Sequence, residues 1–111
     1  MPADVVVIDV GGRKLAVSTA HAREVAAAGW VTPVPLARAP IAGVTQLRGQ
    51  ILPVLDVIAP PRAVQPEDPL LVVEYGGTRA AIVFARLCSP DDKHADAEPL
   101  DVAALFASAQ Q

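Results

Sequence analysis

The chain has a single cysteine, Cys88, among 111 residues. One thiol closes no internal disulfide and supplies no thiolate cluster for zinc. Cys88 is expected as a small apolar filler at a strand end. The two histidines, His21 and His94, stand alone, and no H-x-x-x-H or H-E-x-x-H spacing occurs. Surface or capping roles are expected for both. No glycine pair precedes Gly-Lys-Ser/Thr and no G-x-G-x-x-G follows a strand-like run, so phosphate-cradling loops are excluded. Acidic Asp91, Asp92, Asp96 and Glu98 lack the glycine and spacing of a calcium loop. No cofactor and no metal are expected. The formal charge is -3 and both signs are mixed along the chain, so no basic stripe argues for nucleic acid or a membrane surface. Apolar stretches are broken by Pro and Gly before they reach the ~20 residues of a membrane span. The opening Met1-Pro2-Ala3-Asp4 has no positive region before an apolar one, so no signal peptide is read and a cytoplasmic location is expected.

Apolar residues, by contrast, make up 52% of the chain, enough for a packed core in one domain spanning 1–111. Val5 to Val10 and Arg13 to Val17 are short, β-branched runs around Gly11-Gly12, the pattern of a tight hairpin. Ala20 to Ala28 is Ala-rich, follows the capping candidates Ser18 and Thr19, and ends at Gly29; it predicts a short helix. Trp30 to Pro35 reads as extended, because each proline pushes its predecessor out of the helical region. Val44 to Leu47 and Ile51 to Val57 are strand candidates flanking Arg48-Gly49-Gln50, with Pro53 expected at an edge or bulge. Residues 59–69 are Pro-rich and charged and read as a linker or an exposed loop. Leu70 to Tyr75, Gly76-Gly77 and Thr78 to Phe84 form a second hairpin. Pro99 to Phe106 predicts a closing helix with proline in its first turn.

The chain also repeats itself. Shifted by 65 positions, Val6-Val7-Ile8-Asp9-Val10-Gly11-Gly12 falls on Leu71-Val72-Val73-Glu74-Tyr75-Gly76-Gly77. Leu55-Asp56-Val57 is echoed by Leu100-Asp101-Val102. Two pseudo-equivalent halves follow, about 4–58 and 70–106. The second is shorter between these marks by 20 residues, corresponding to much of Trp30 through Gln50.

The stretch Pro40-Ile41-Ala42-Gly43-Val44-Thr45-Gln46-Leu47-Arg48-Gly49-Gln50-Ile51-Leu52-Pro53-Val54-Leu55-Asp56 resembles the CheW-like domains of bacterial chemotaxis. In that family an apolar-Gly turn leads into a strand ending Asn-Leu-Arg-Gly and a strand ending Pro-Val-x-Asp-Leu. Glu24-Val25 fit the family's opening, and Leu100 to Leu105 its closing Leu-Asp-x-x-x-Leu. The short second half is similar to the small CheW-like member of the Frz-type gliding-motility system. This resemblance implies an all-β fold of two SH3-like barrel subdomains, here with the second incomplete. It implies a non-catalytic adaptor that binds the cytoplasmic tip of a methyl-accepting chemoreceptor. The partner-binding residues it implies are Arg48, Leu47, Gly49, Val44, Ile41, Val34 and Leu36.

Departures accompany the likeness. Gln46 stands for Asn, and Val57-Ile58 for Leu-Arg. Ala81 to Ala85 lie where the family has Gly-Leu-x-Val-Asp. The second half lacks a strand pair, which opens a barrel and leaves an edge. A weakened contact with a CheA-like kinase or another CheW-like protein is therefore expected. The alternative is a full adaptor that still bridges receptor and kinase. An enzyme would need convergent titratable groups, which the sequence does not offer. Asp56 reads as a structural acceptor, and Trp30 as a core or interface anchor.

Overall fold

A computed structural model describes residues 5–33, 41–57, 64–88 and 97–109. The elements in order are β1 (Val5–Val10), β2 (Arg13–Ser18), β3 (Ala22–Ala27), β4 (Val31–Thr32), β5 (Ile41–Leu47), β6 (Gln50–Leu55), β7 (Pro69–Tyr75), β8 (Thr78–Val83), β9 (Arg86–Leu87), β10 (Glu98–Pro99) and α1 (Val102–Ala109). They build two sheets, ordered β10-β2-β1-β9 and β3-β7-β8-β6-β5-β4.

The internal repeat is visible in the hydrogen-bond register. In the first hairpin Val5 faces Ser18 and Val10 faces Arg13; in the second Leu70 faces Val83 and Tyr75 faces Thr78, each pair 65 positions later. The turns match too, with φ of 60° and 86° at Gly11-Gly12 and 60° and 82° at Gly76-Gly77. Positive φ at both central residues is the mirror-image turn that suits twisted strands, and glycine adopts it at no steric cost.

The flanking strands follow the same plan. β9 pairs antiparallel with β1 as β3 does with β7. β10 lies parallel to β2 as the end of β6 lies parallel to β8. Pro99 beside Ala16 then corresponds to Val54 beside Ala81, which makes Leu100-Asp101 the counterpart of Leu55-Asp56. Beyond β6 the second sheet continues into β5 and β4; among the described residues the first sheet ends at β10. The missing strand pair is therefore the counterpart of β4 and β5. The bare edge is short and blunt: Pro99 has no N–H to offer, and Glu98 is tied to Arg13 at 3.0 Å.

Packing explains which strands are continuous apolar runs. Leu71, Val73, Ile82, Phe84 and Leu55 face a core shared with Ile8, Val10, Leu15 and Val17 of the first sheet and with Val102 and Phe106 of α1. Leu70, Ala81, Val83 and Val54 point the other way, into a smaller core with Ala28. β7 and β8 are thus buried on both faces, which is why they do not alternate polar and apolar residues.

Three expectations are corrected. Ala22 to Ala27 is a strand, not a helix, and pairs along β7 from Val73 to Pro69 with a bulge near Ala22. Alanine's helix preference is worth only fractions of a kcal/mol per residue, and a full ladder on a buried strand outweighs it. The closing helix begins at Val102, with Pro99 already spent in β10. Asp101 caps it by accepting the Ala104 N–H at 3.0 Å. Among the described residues neither sheet closes into a barrel. The second sheet does roll up, however, because residues 28–30 lead β3 across to β4. The Thr45 hydroxyl bonds the Ala28 carbonyl at 2.7 Å and lies 2.9 Å from that of Trp30.

Pro53 lies in an interior strand and away from the β5–β6 bulge, so the expectation of an edge or bulge is not met. The parallel ladder between β6 and β8 includes only Val54 with Ala81 and Leu55 with Ile82. Pro53 sits where the ladder ends.

Candidate functional site

The hairpin β5–β6 closes through the two-residue turn Arg48-Gly49, with φ of 51° and 79°. Arg48 is the one non-glycine residue at positive φ among the described residues. A side chain there costs about 1–2 kcal/mol, and the two equivalent hairpins avoid it by using Gly-Gly. The arginine side chain is 72% exposed, so burial does not compensate. Its guanidinium donates to both carboxylate oxygens of Glu24 on β3. The roll of the second sheet brings β3 and the β5–β6 tip together, although β3 lies at one end of the strand order. Arg48→Gly is expected to raise the melting temperature by about 4 °C, since the turn conformation then carries no Cβ. Arg48→Ala keeps the Cβ and is expected to give no such gain in the same melting experiment.

Glu24 also lines an apolar hollow of about 210 Å³ between the edges of the two sheets. Val6, Ala22, Val25, Leu71 and Leu87 form most of its wall. Val25 and Leu87 are exposed, although large and apolar. On the other side of Arg48, the outer face of β5 and β6 presents Trp30 and Ile51, 87% and 72% exposed, around a second shallow hollow with Thr32, Val44 and Gln46. Solitary exposed apolar residues mean little, whereas Trp30 and Ile51 are clustered around one hollow.

The residues expected from sequence are distributed unevenly over this region. Arg48 and Gly49 form the exposed tip, and Leu47 closes the strand below them, half-buried. Val44 belongs to the outer face with Ile51. Strand alternation places Leu47 on the opposite face from Val44. Ile41 packs against the core between the sheets. Val34 and Leu36 lie outside the described residues. Sequence reasoning did not single out Glu24, Val25, Leu87 or Ile51 as site residues. Glu24-Val25 already fitted the family's opening, and that was the available signal.

Gly43 serves this region by close approach. A Cβ at Gly43 would lie 2.6 Å from the Thr32 carbonyl oxygen and 2.8 Å from Val31 Cγ1. Among the described residues no three His, Cys, Asp or Glu come together as metal ligands. No helix among them is long and apolar enough to cross a membrane.

The family model described as the CheW-like domain matches residues 4–92. The chain belongs to the CheW-like domain family. Among solved structures, it is similar to the scaffolding protein TtCheW from Thermoanaerobacter tengcongensis, with a TM-score of 0.67 and 24% identity. That match covers 80% of this chain and 64% of the other, so this CheW-like domain spans less than two thirds of its structural neighbour. No curated protein matches. The likeness to TtCheW shows the shared, mainly β fold.

Proposed function

We propose that this domain is a non-catalytic coupling adaptor of a bacterial chemosensory system, which docks the cytoplasmic tip of a chemoreceptor around Arg48. The observation that carries this reading is the arginine itself: exposed, held at φ 51° against a conformational cost, and aimed by Glu24 beside an apolar hollow. Strain kept at an exposed side chain is the mark of a contact residue. A receptor tip is a helical hairpin, and such a helix can lay an apolar stripe across Val25 and Leu87 while a carboxylate meets Arg48. Family membership supports the same reading, as does the likeness to the scaffolding protein TtCheW.

The reading extends to the missing strand pair. In this view the sheets are counterparts of the family's two barrels, and the sheet that stops at β10 offers a reduced surface to a CheA-like kinase or a second CheW-like protein. The Frz-type likeness belongs to the same proposal and rests on that shortened half.

The experiment is a pair of titrations, against a receptor cytoplasmic fragment and against a CheA-like kinase. Receptor binding is expected, with kinase binding at least tenfold weaker than that of a full-length CheW-like adaptor. Arg48→Ala is expected to lower receptor affinity tenfold or more with the far-ultraviolet spectrum unchanged. Unaltered receptor affinity would remove Arg48 from the docking face, and full-strength kinase binding would favour the complete adaptor.

A further inference from the structure

The parting of β6 from β8 has a chemical cause that points to a second binding site. In a hairpin with a two-residue loop, the residues flanking the loop exchange both hydrogen bonds, and the next pair exchanges none. Tyr75 and Thr78 flank the turn, so the main-chain groups of Arg79 and Ala81 face away from β7, toward β6. Ala81 uses its own in the parallel ladder beside Val54. The next bond of that ladder would run from the residue 53 N–H to the Arg79 carbonyl. Residue 53 is proline and has no N–H. The ladder ends there, leaving the Arg79 carbonyl without its donor. A cleft of about 660 Å³ lies beyond it, lined by Gln50, Ile51, Leu52, Pro53, Glu74, Gly77, Thr78 and Arg79.

The cleft's carboxylate is shared between Arg79 in the lining and Arg23 outside it. That carboxylate, Glu74, accepts Nε of Arg23 at 3.2 Å and Nε of Arg79 at 3.3 Å. The hydrogen bond from Arg23 first, and that from Arg79 with the charges of both, hold the Glu74 carboxyl below the usual carboxylate range against its partial desolvation. Two guanidinium groups thus share one carboxylate.

We propose that this cleft binds an extended peptide segment of a partner, which adds as a short strand along β8, bonds the Arg79 main chain, and pairs an acidic side chain with Arg79. The stretch of β8 past the end of its ladder with β6 calls for main-chain partners, and Arg79, which shares its carboxylate with Arg23, calls for a second one. The cleft adjoins the Arg48 surface, with Ile51 lining both, but Arg48 is not in its lining and the proposal does not depend on the docking proposed there.

The probe is an end-blocked octapeptide of alternating Thr and Val with one central Glu, together with its Gln and Lys counterparts. Each is titrated into the 15N-labelled chain. Amide shifts are expected at Leu52, Thr78, Arg79 and Ala80, with affinity at least fivefold weaker for the Gln peptide and weakest for the Lys peptide. Arg79→Gln is expected to erase the difference between Glu and Gln. Pro53→Val restores the missing N–H, so it is expected to extend the ladder, raise the melting temperature and abolish peptide binding. Arg48→Ala is expected to leave peptide binding unchanged. Equal affinity for Glu and Lys peptides, no shifts up to on the order of 1 mM peptide, or full binding by Pro53→Val would each overturn the proposal.

Discussion

Phe84→Ala is expected to cost about 3–5 kcal/mol of folding stability, as large aromatic truncations in packed cores do. The side chain is 2% exposed and sits in the core between the two sheets, with Ile8, Leu55, Val102 and Phe106. Its amide is also fixed, donating to the Pro69 carbonyl at 3.1 Å, so the backbone cannot slide to fill the void. A domain of this size has roughly 5–15 kcal/mol in total. The loss is therefore a large fraction of what holds the sheets together, and the melting midpoint should fall by about 15 °C or more. The effect reaches the site as well, because the hollow beside Glu24 exists only while the sheets stay in contact. Receptor binding, measured just below the new midpoint, should weaken along with folding. A midpoint within about 5 °C of the unmutated chain would mean that the sheets do not share this core.

The same core shows what the sequence made legible. Both glycine-paired hairpins, their common register and the shortened second half were all readable, because turn chemistry and strand alternation are local signals. Ala22 to Ala27 was not. Its helix-favouring composition and flanking caps are local too, whereas the ladder that makes it a strand comes from Leu70 to Val73, far along the chain. The helix start was misplaced for a related reason. Proline suits both a first helical turn and a strand edge, and only the parallel pairing with Ala16 selects the edge.

The site was legible as a corner and not as a surface. Leu47-Arg48-Gly49 announced a turn, but nothing local says that Arg48 meets Glu24. That pairing requires the second sheet to roll until β3 reaches the β5–β6 tip, and the roll follows from the short crossing at 28–30. Strands β5 and β6 could be assigned from sequence, but not which of their faces stays open. Trp30 and Ile51 are exposed because, among the described residues, no layer packs over the outer side of β5 and β6 there.

Gly43→Ala tests how far that surface depends on the backbone beneath it. The added methyl carbon would meet a carbonyl oxygen at 2.6 Å, and backbone does not give way as a flexible side chain does. β4 is only two residues long, held by Val31 against Thr45 and Thr32 against Val44. It is the element that must move. Its displacement would disturb the Thr45 hydroxyl, whose single proton is held between the Ala28 and Trp30 carbonyls, and would leave that buried hydroxyl unsatisfied. Overpacking costs about 1–3 kcal/mol, and an orphaned buried hydroxyl about 1–3 kcal/mol more. The variant should melt at least 10 °C lower and lose amide protection at Val44, whose N–H faces β4, while the β7–β8 hairpin stays protected. As the chain's single tryptophan, Trp30 reports the same event through its fluorescence. Because the change removes no group from the proposed docking face, a matching drop in receptor affinity would show that β4 and the residues it sets in place belong to that face. Retained protection at Val44 would show that β5 tolerates a side chain at 43 and that the close approach to Thr32 is not structural.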